Sequence, residues 1–147
     1  MGNFGVELTE TDKGMRPIIT DIRPAFGDLV QSGLPFYWGS IIYEAELEFG
    51  AETRWVDCGD VDGVMSATVN GTDVGCRLMA PYRFYIGDVV SQGKNSVVLT
   101  LHNTAQNLFG PHRKDYLVSI VPCQRRGEGE GAYFLAPFGI KGPVALQ

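Results

Sequence analysis

The sequence carries very little of what reactive chemistry uses. Among its 147 residues are only two histidines, His102 and His112, and three widely spaced cysteines, Cys58, Cys76 and Cys123. With no Cys-x-x-Cys pair and an odd, sparse set, neither a disulfide framework nor a Cys/His zinc site is expected. No Gly-x-Ser-x-Gly elbow, phosphate-binding glycine loop or His-Glu-x-x-His helix occurs. Basic residues are outnumbered, 12 against 17, for a net charge of −5. No basic face is therefore available to displace counterions from nucleic-acid phosphates, and anionic lipid is not an expected partner either. No apolar run reaches the roughly 20 residues of a membrane-spanning helix. The first ten residues lack the basic and apolar stretches of a signal peptide, and no cue fixes a compartment. Helical periodicity is also missing, and no helix of about ten or more residues is expected.

What is abundant is turn chemistry. Nineteen glycines and eight prolines accompany 44% hydrophobic residues, the balance of a folded chain with many turns rather than a disordered one. The length suits one domain, residues 1–147, able to bury roughly 70% of its unfolded surface. Residues 1–14 read as a polar lead-in, and 15–22 as an edge strand that tolerates Pro17. Residues 23–38 form a long connection.

Residues 40–49 give the clearest strand: Ile41, Tyr43, Ala45, Leu47 and Phe49 on one face, Glu44, Glu46 and Glu48 on the other. Further strands are expected at 53–58, 64–69, 72–78, 82–86, 95–103, 116–121, 132–135 and 140–146. Asn70-Gly71 is a hairpin signal, since both residues tolerate positive φ. A helical turn is expected within 87–94 and a solvated glycine-rich turn at 124–131. Short, evenly spaced strands with glycine turns indicate an all-β jelly-roll β-sandwich.

If each strand crosses the sandwich once, one rim collects the long loops 23–38, 59–63, 79–82 and 104–114, while the tight turns go to the other end. Function in sandwich domains gathers on such rims. Three acids in one turn, Asp57, Asp60 and Asp62, superficially resemble a calcium loop. They lack an EF-hand's pattern, and turn-forming aspartates are the preferred reading over a structural calcium site. Glu44, Glu46 and Glu48 read as a solvent face rather than as glycosidic acids. His112 beside Asp115 reads as a solvated pair, and Cys58 as a small buried filler. No catalytic residue and no metal site are expected. Phe36, Trp55 and Phe84 are expected as core anchors. Tyr37 and Trp38 are the expected stacking surfaces for a sugar, with Tyr82, Asn103, Asn107 and His112 as partners for its hydroxyls.

Several motifs, in order, resemble a known pattern. Gly33-Leu34-Pro35-Phe36-Tyr37-Trp38-Gly39 is followed by Val69-Asn70-Gly71 with Gly75, by Ala80-Pro81-Tyr82-Arg83-Phe84, and by Gly93-Lys94-Asn95-Ser96-Val97. Asn103-Thr104-Ala105-Gln106-Asn107 and Phe138-Gly139-Ile140-Lys141-Gly142-Pro143-Val144 complete the series. Over residues 34–146 the chain resembles the galactose-binding-like jelly-roll module, the sugar-binding-like accessory domain of glycoside hydrolases of family 2 and rhamnosidase type. It departs from the pattern at Tyr85 and Gly87, where an Asp-Ile-Thr sequence is usual. The resemblance implies a non-catalytic piece whose partner is a glycan or the catalytic domain of the same enzyme. A free-standing glycosidase is the weakest alternative.

Overall fold

The computed structural model describes residues 5–12, 14–21, 26–109 and 135–147. The strands expected at 116–121 and 132–135, the turn at 124–131 and His112 lie largely or wholly outside them. The chain divides into two compact units. One comprises residues 1–25, 29–38 and 104–137; the other comprises 26–28, 39–103 and 138–147.

In the first unit, β1 (Gly5–Thr11) and β2 (Gly14–Thr20) form an antiparallel ribbon in which Leu8 faces Pro17. Each strand of a two-stranded ribbon has an open side, so Pro17 is accommodated. The lead-in is thus partly a strand. Neither strand buries a continuous face, so the sequence shows no clean alternation there. Residues 29–37 turn repeatedly, with Ser32 N and Leu34 N donating to Leu29 O, and Tyr37 N to Leu34 O. Leu29 and Pro35 are buried beneath these turns. The single helical turn α1 (Gln106–Phe109) follows.

The second unit holds a four-stranded antiparallel sheet of order β3-β9-β6-β7, built from β3 (Ser40–Phe49), β6 (Val64–Val69), β7 (Thr72–Arg77) and β9 (Gly93–His102). Strands β3 and β6 both run antiparallel to β9, and β7 runs antiparallel to β6. These are the directions that strand counting predicts. Met65, Ala67, Val69, Val97, Leu99 and Leu101 bury one face; Glu44, Glu46 and Glu48 are exposed, while Ala45, expected inside, is exposed as well. At the β6–β7 turn Asn70 has φ of 51° and Gly71 of 79°, the paired positive angles of a primed hairpin turn.

Two of the resembling motifs meet beside this turn. The Asn70 amide nitrogen donates to Asn95 Oδ1 (2.7 Å) and to Val89 O (2.9 Å), while Ser96 N donates to Asn70 Oδ1 (3.0 Å). The Val-Asn-Gly and Gly-x-Asn signatures are therefore two halves of one hydrogen-bonded knot. Gly75, which closes the first of these motifs, follows a break in the β6–β7 register after Ala67 and has φ of 107°, a bulge position that favours glycine.

Two smaller sheets complete the unit. Strand β4 (Trp55–Asp57) lies between β11 (Ala145–Leu146) and β8 (Arg83–Tyr85), and β5 (Val61–Asp62) pairs with β10 (Gly139–Ile140). Val56, Phe84, Ile86, Phe138 and Ile140 are fully buried here.

Cys58 is inaccessible, as expected of a filler. Burial, reinforced by the negative charge of Asp57, pushes its thiol from 9.0 up to about 11. In the unfolded chain the thiol ionises first, so its contribution to stability is complete below about pH 9 and is lost as pH rises toward 11. Stability measured by urea midpoint should fall across that window, and the Cys58→Ala protein should show a shallower fall.

Candidate functional site

Trp38, two residues before β3, is the more exposed of the two tryptophans. Trp38 is 59% exposed and Phe109, in α1, is 71% exposed, with ring centroids 6.3 Å apart and planes tilted by 59°. Leu108 beside Phe109 is exposed too. Tyr37, within the turns that lead to Trp38, is half-buried. These three aromatics belong to the first unit, and Phe109 is the member that sequence reasoning missed. Four residues of helix carry no periodic signal to reveal it.

The other expected site residues have structural positions. Asn107 is buried, and its amide makes a two-way clamp on Ala136, donating to its carbonyl and accepting from its N–H at 2.8 Å each. Tyr82 is buried, and its hydroxyl donates to Gly63 O (2.7 Å). Burial first, then Asp62 and Asp60, raise that phenol above its ordinary value. Asn103 caps β9 through its backbone N–H, which donates to Gly39 O (3.0 Å), and is half-buried. His112 lies outside the described residues.

Two of the three aspartates point to separate partners. Asp57 Oδ1 accepts from Gly59 N (2.9 Å), the bond of an aspartate turn, and its other oxygen faces Arg83 Nε at 3.3 Å. Asp62 pairs with Lys141, and that contact lifts the exposed Lys141 ammonium above its ordinary value. Among the described residues no three His, Cys, Asp or Glu side chains converge as a metal site would need. His102 bridges neighbouring strands, with Ser40 Oγ 2.9 Å from Nδ1 and Ser66 Oγ 3.1 Å from Nε2.

A second aromatic group lies on the outer face of the three-stranded sheet. Trp55 and Tyr85 are directly opposed across β4 and β8. Their ring centroids are 5.2 Å apart at 68°, an edge-to-face pair. Arg83 packs over the Trp55 ring at 5.2 Å and donates to Gln147 Oε1 (2.7 Å). Trp55, expected as a core anchor, is 37% exposed. Phe84 does fill that role, and Phe36 is half-buried. The pairing of Asp57 with Arg83 one step along the same face was the available signal. Residues at i and i+2 of a strand share a side, and Asp57 belongs in water.

No protein-family model matches the chain, and no curated protein matches it either. Among solved structures, a rhamnosidase from Novosphingobium sp. PP1Y is similar over 97% of this chain, with TM-score 0.62 and 27% identity. A β-glucuronidase from Ruminococcus gnavus is similar over 60% of it, with TM-score 0.45 and 21% identity. A β-glucuronidase from glycoside hydrolase family 2 is similar over 46%, with TM-score 0.41 and 15% identity. This chain spans only 14%, 16% and 8% of their respective lengths. The resemblance carried by the motifs is also a resemblance of structure: the chain is similar, over nearly all its length, to one small part of a rhamnosidase-type glycoside hydrolase.

Proposed function

We propose that the chain is a non-catalytic, galactose-binding-like jelly-roll module of a glycoside hydrolase, and that it binds glycan through Trp38, assisted by Phe109 and Tyr37. Coverage of 97% of this chain against 14% of the rhamnosidase supports the module reading. The observation that carries the binding reading is the exposed Trp38–Phe109 pair. A large aromatic face left in water is the surface on which the C–H face of a pyranose stacks.

Calorimetric titration of the 147-residue protein against a panel of oligosaccharides, including rhamnosides, tests it. At least one should bind, and Trp38→Ala should weaken that binding about tenfold or more while the fold persists, a loss of about 1.4 kcal/mol. Unchanged affinity in Trp38→Ala would remove this surface from the site. The second reading is a docking domain seated on the enzyme's catalytic domain. Leu78 and Met79, consecutive in the chain and 70% and 72% exposed, favour it, because paired apolar side chains in water suit a protein surface better than a sugar. Silence across the whole panel would favour that reading.

A further inference from the structure

Strand β4 and strand β8 turn Val56 and Phe84 inward, so Trp55, Asp57, Arg83 and Tyr85 stand on the outer face of their sheet. We infer that this face is a second carbohydrate-binding surface, taking the ring of a neutral hexopyranose in the corner between Trp55 and Tyr85. The inference rests on the carbohydrate-binding reading above but uses none of the residues assigned there.

Trp55 and Tyr85 are 37% and 43% exposed as residues, on a face where a strand ordinarily carries polar groups. Their 68° edge-to-face arrangement leaves a corner rather than a flat stack, a shape that meets a puckered sugar ring on two sides. Hydroxyls both donate and accept, and both kinds of partner border the corner: the Arg83 guanidinium donates, and the Asp57 carboxylate and the Gln147 amide oxygen accept. These groups are already held in place, Arg83 by Trp55 at 5.2 Å, by Asp57 at 3.3 Å and by Gln147 at 2.7 Å. Little side-chain ordering then opposes binding. Arg83 and Asp57 offset each other's charge, which favours a neutral sugar over a sugar acid. Two rings and three polar side chains match one or two sugar residues and fall well short of the ~1,200 Å² of a stable protein interface.

Gly87 ties this corner to the sequence. A β-carbon there would lie 2.5 Å from Tyr85 Oη and 2.6 Å from Arg54 Cδ. The Tyr85 ring can occupy its place because residue 87 has no side chain. Tyr85 and Gly87 are the two positions at which the chain departs from the Asp-Ile-Thr pattern, and the structure puts them in contact. One departure makes room for the other.

The chain has two tryptophans, so each surface can be read by its own fluorophore. In Trp38→Phe all tryptophan emission comes from Trp55, and in Trp55→Phe from Trp38. Each variant, its fold checked by circular dichroism, is titrated with methyl α-L-rhamnopyranoside, methyl β-D-galactopyranoside and methyl β-D-glucopyranoside. The expected result is a saturable change of Trp55 emission in Trp38→Phe, shifted about tenfold to higher sugar when Tyr85→Ala is added. Silence of Trp38→Phe while Trp55→Phe responds overturns the second surface and leaves the rim reading standing. Silence of both overturns both readings. A Trp55 response unchanged by Tyr85→Ala overturns the corner as the binding place.

Discussion

Replacing Asn95 by leucine is expected to lower the stability of the protein by on the order of 3–5 kcal/mol. Asn95 is 2% exposed, and its amide makes four close hydrogen bonds. Its oxygen accepts from Asn70 Nδ2 (2.7 Å) and Ser91 N (3.0 Å); its nitrogen donates to Ser91 O (2.7 Å) and Gly93 O (2.8 Å). Leucine nearly conserves the volume and removes all four, leaving backbone groups around a buried position without partners. Each such group costs about 1–3 kcal/mol. Asn70 and Ser91 are exposed enough to turn toward water, which keeps the sum below the full total. Asn70→Ala is expected to lose only about 1–2 kcal/mol for that reason. Urea denaturation with an unchanged m-value separates the two. A loss under about 1 kcal/mol in Asn95→Leu would show that the knot is replaceable by water. Set against a typical total of about 5–15 kcal/mol, the expected loss puts this asparagine among the residues on which folding depends.

The knot also shows which parts of the fold are legible in sequence. Strands β6 and β9 alternate because one face is buried and the other is not, β3 sets half-buried or buried residues against exposed ones except at Ala45, and the turn at Asn70-Gly71 announces itself through the two residues that tolerate its angles. What sequence does not show is that Asn70 and Asn95, 25 residues apart, bond to each other. The ribbon β1–β2 is illegible for the opposite reason. It has no consistently buried side, so burial imposes no period on it.

The site residues divide by strand parity. Tyr82 shares its parity with Phe84 and Ile86, both fully buried, so its place inside was readable from three alternate residues. Trp55 shares its parity with Asp57, and Tyr85 with Arg83, so both aromatics belong outside. Aromatic residues at strand ends read equally well as anchors or as platforms until a charged neighbour of the same parity decides. Asn107 offered no such clue. Its clamp on Ala136 spans 29 residues, and an amide in a loop looks the same whether it holds a sugar or a backbone.

Gly142→Ala is expected to be the other severe change, losing about 3–4 kcal/mol. A β-carbon at Gly142 would lie 2.7 Å from Asp60 N and 3.2 Å from Gly59 Cα, against the 3.5–4.0 Å at which carbon atoms rest in contact. Both obstacles are backbone and cannot swing aside. Relief requires residues 59–60 to part from residues 141–142. That breaks the bonds from Lys141 N (2.8 Å) and Gly142 N (3.1 Å) to Asp60 O. It also strains the β5–β10 pair, in which buried Ile140 faces buried Val61. Gly87→Ala provides the control. Its added carbon meets nearer atoms, at 2.5 and 2.6 Å, but these are the ends of the Tyr85 and Arg54 side chains on an exposed face, which can move into water for about 1 kcal/mol or less. Chemical denaturation of the two variants side by side measures the difference. If Gly142→Ala loses no more than Gly87→Ala, the closing Gly-Ile-Lys-Gly-Pro-Val segment is not pinned against Asp60. The expected order places the two glycines in different roles. Gly142 holds the closing strands together, and Gly87 makes room for the Tyr85 ring beside Trp55, whose displacement leaves the fold intact.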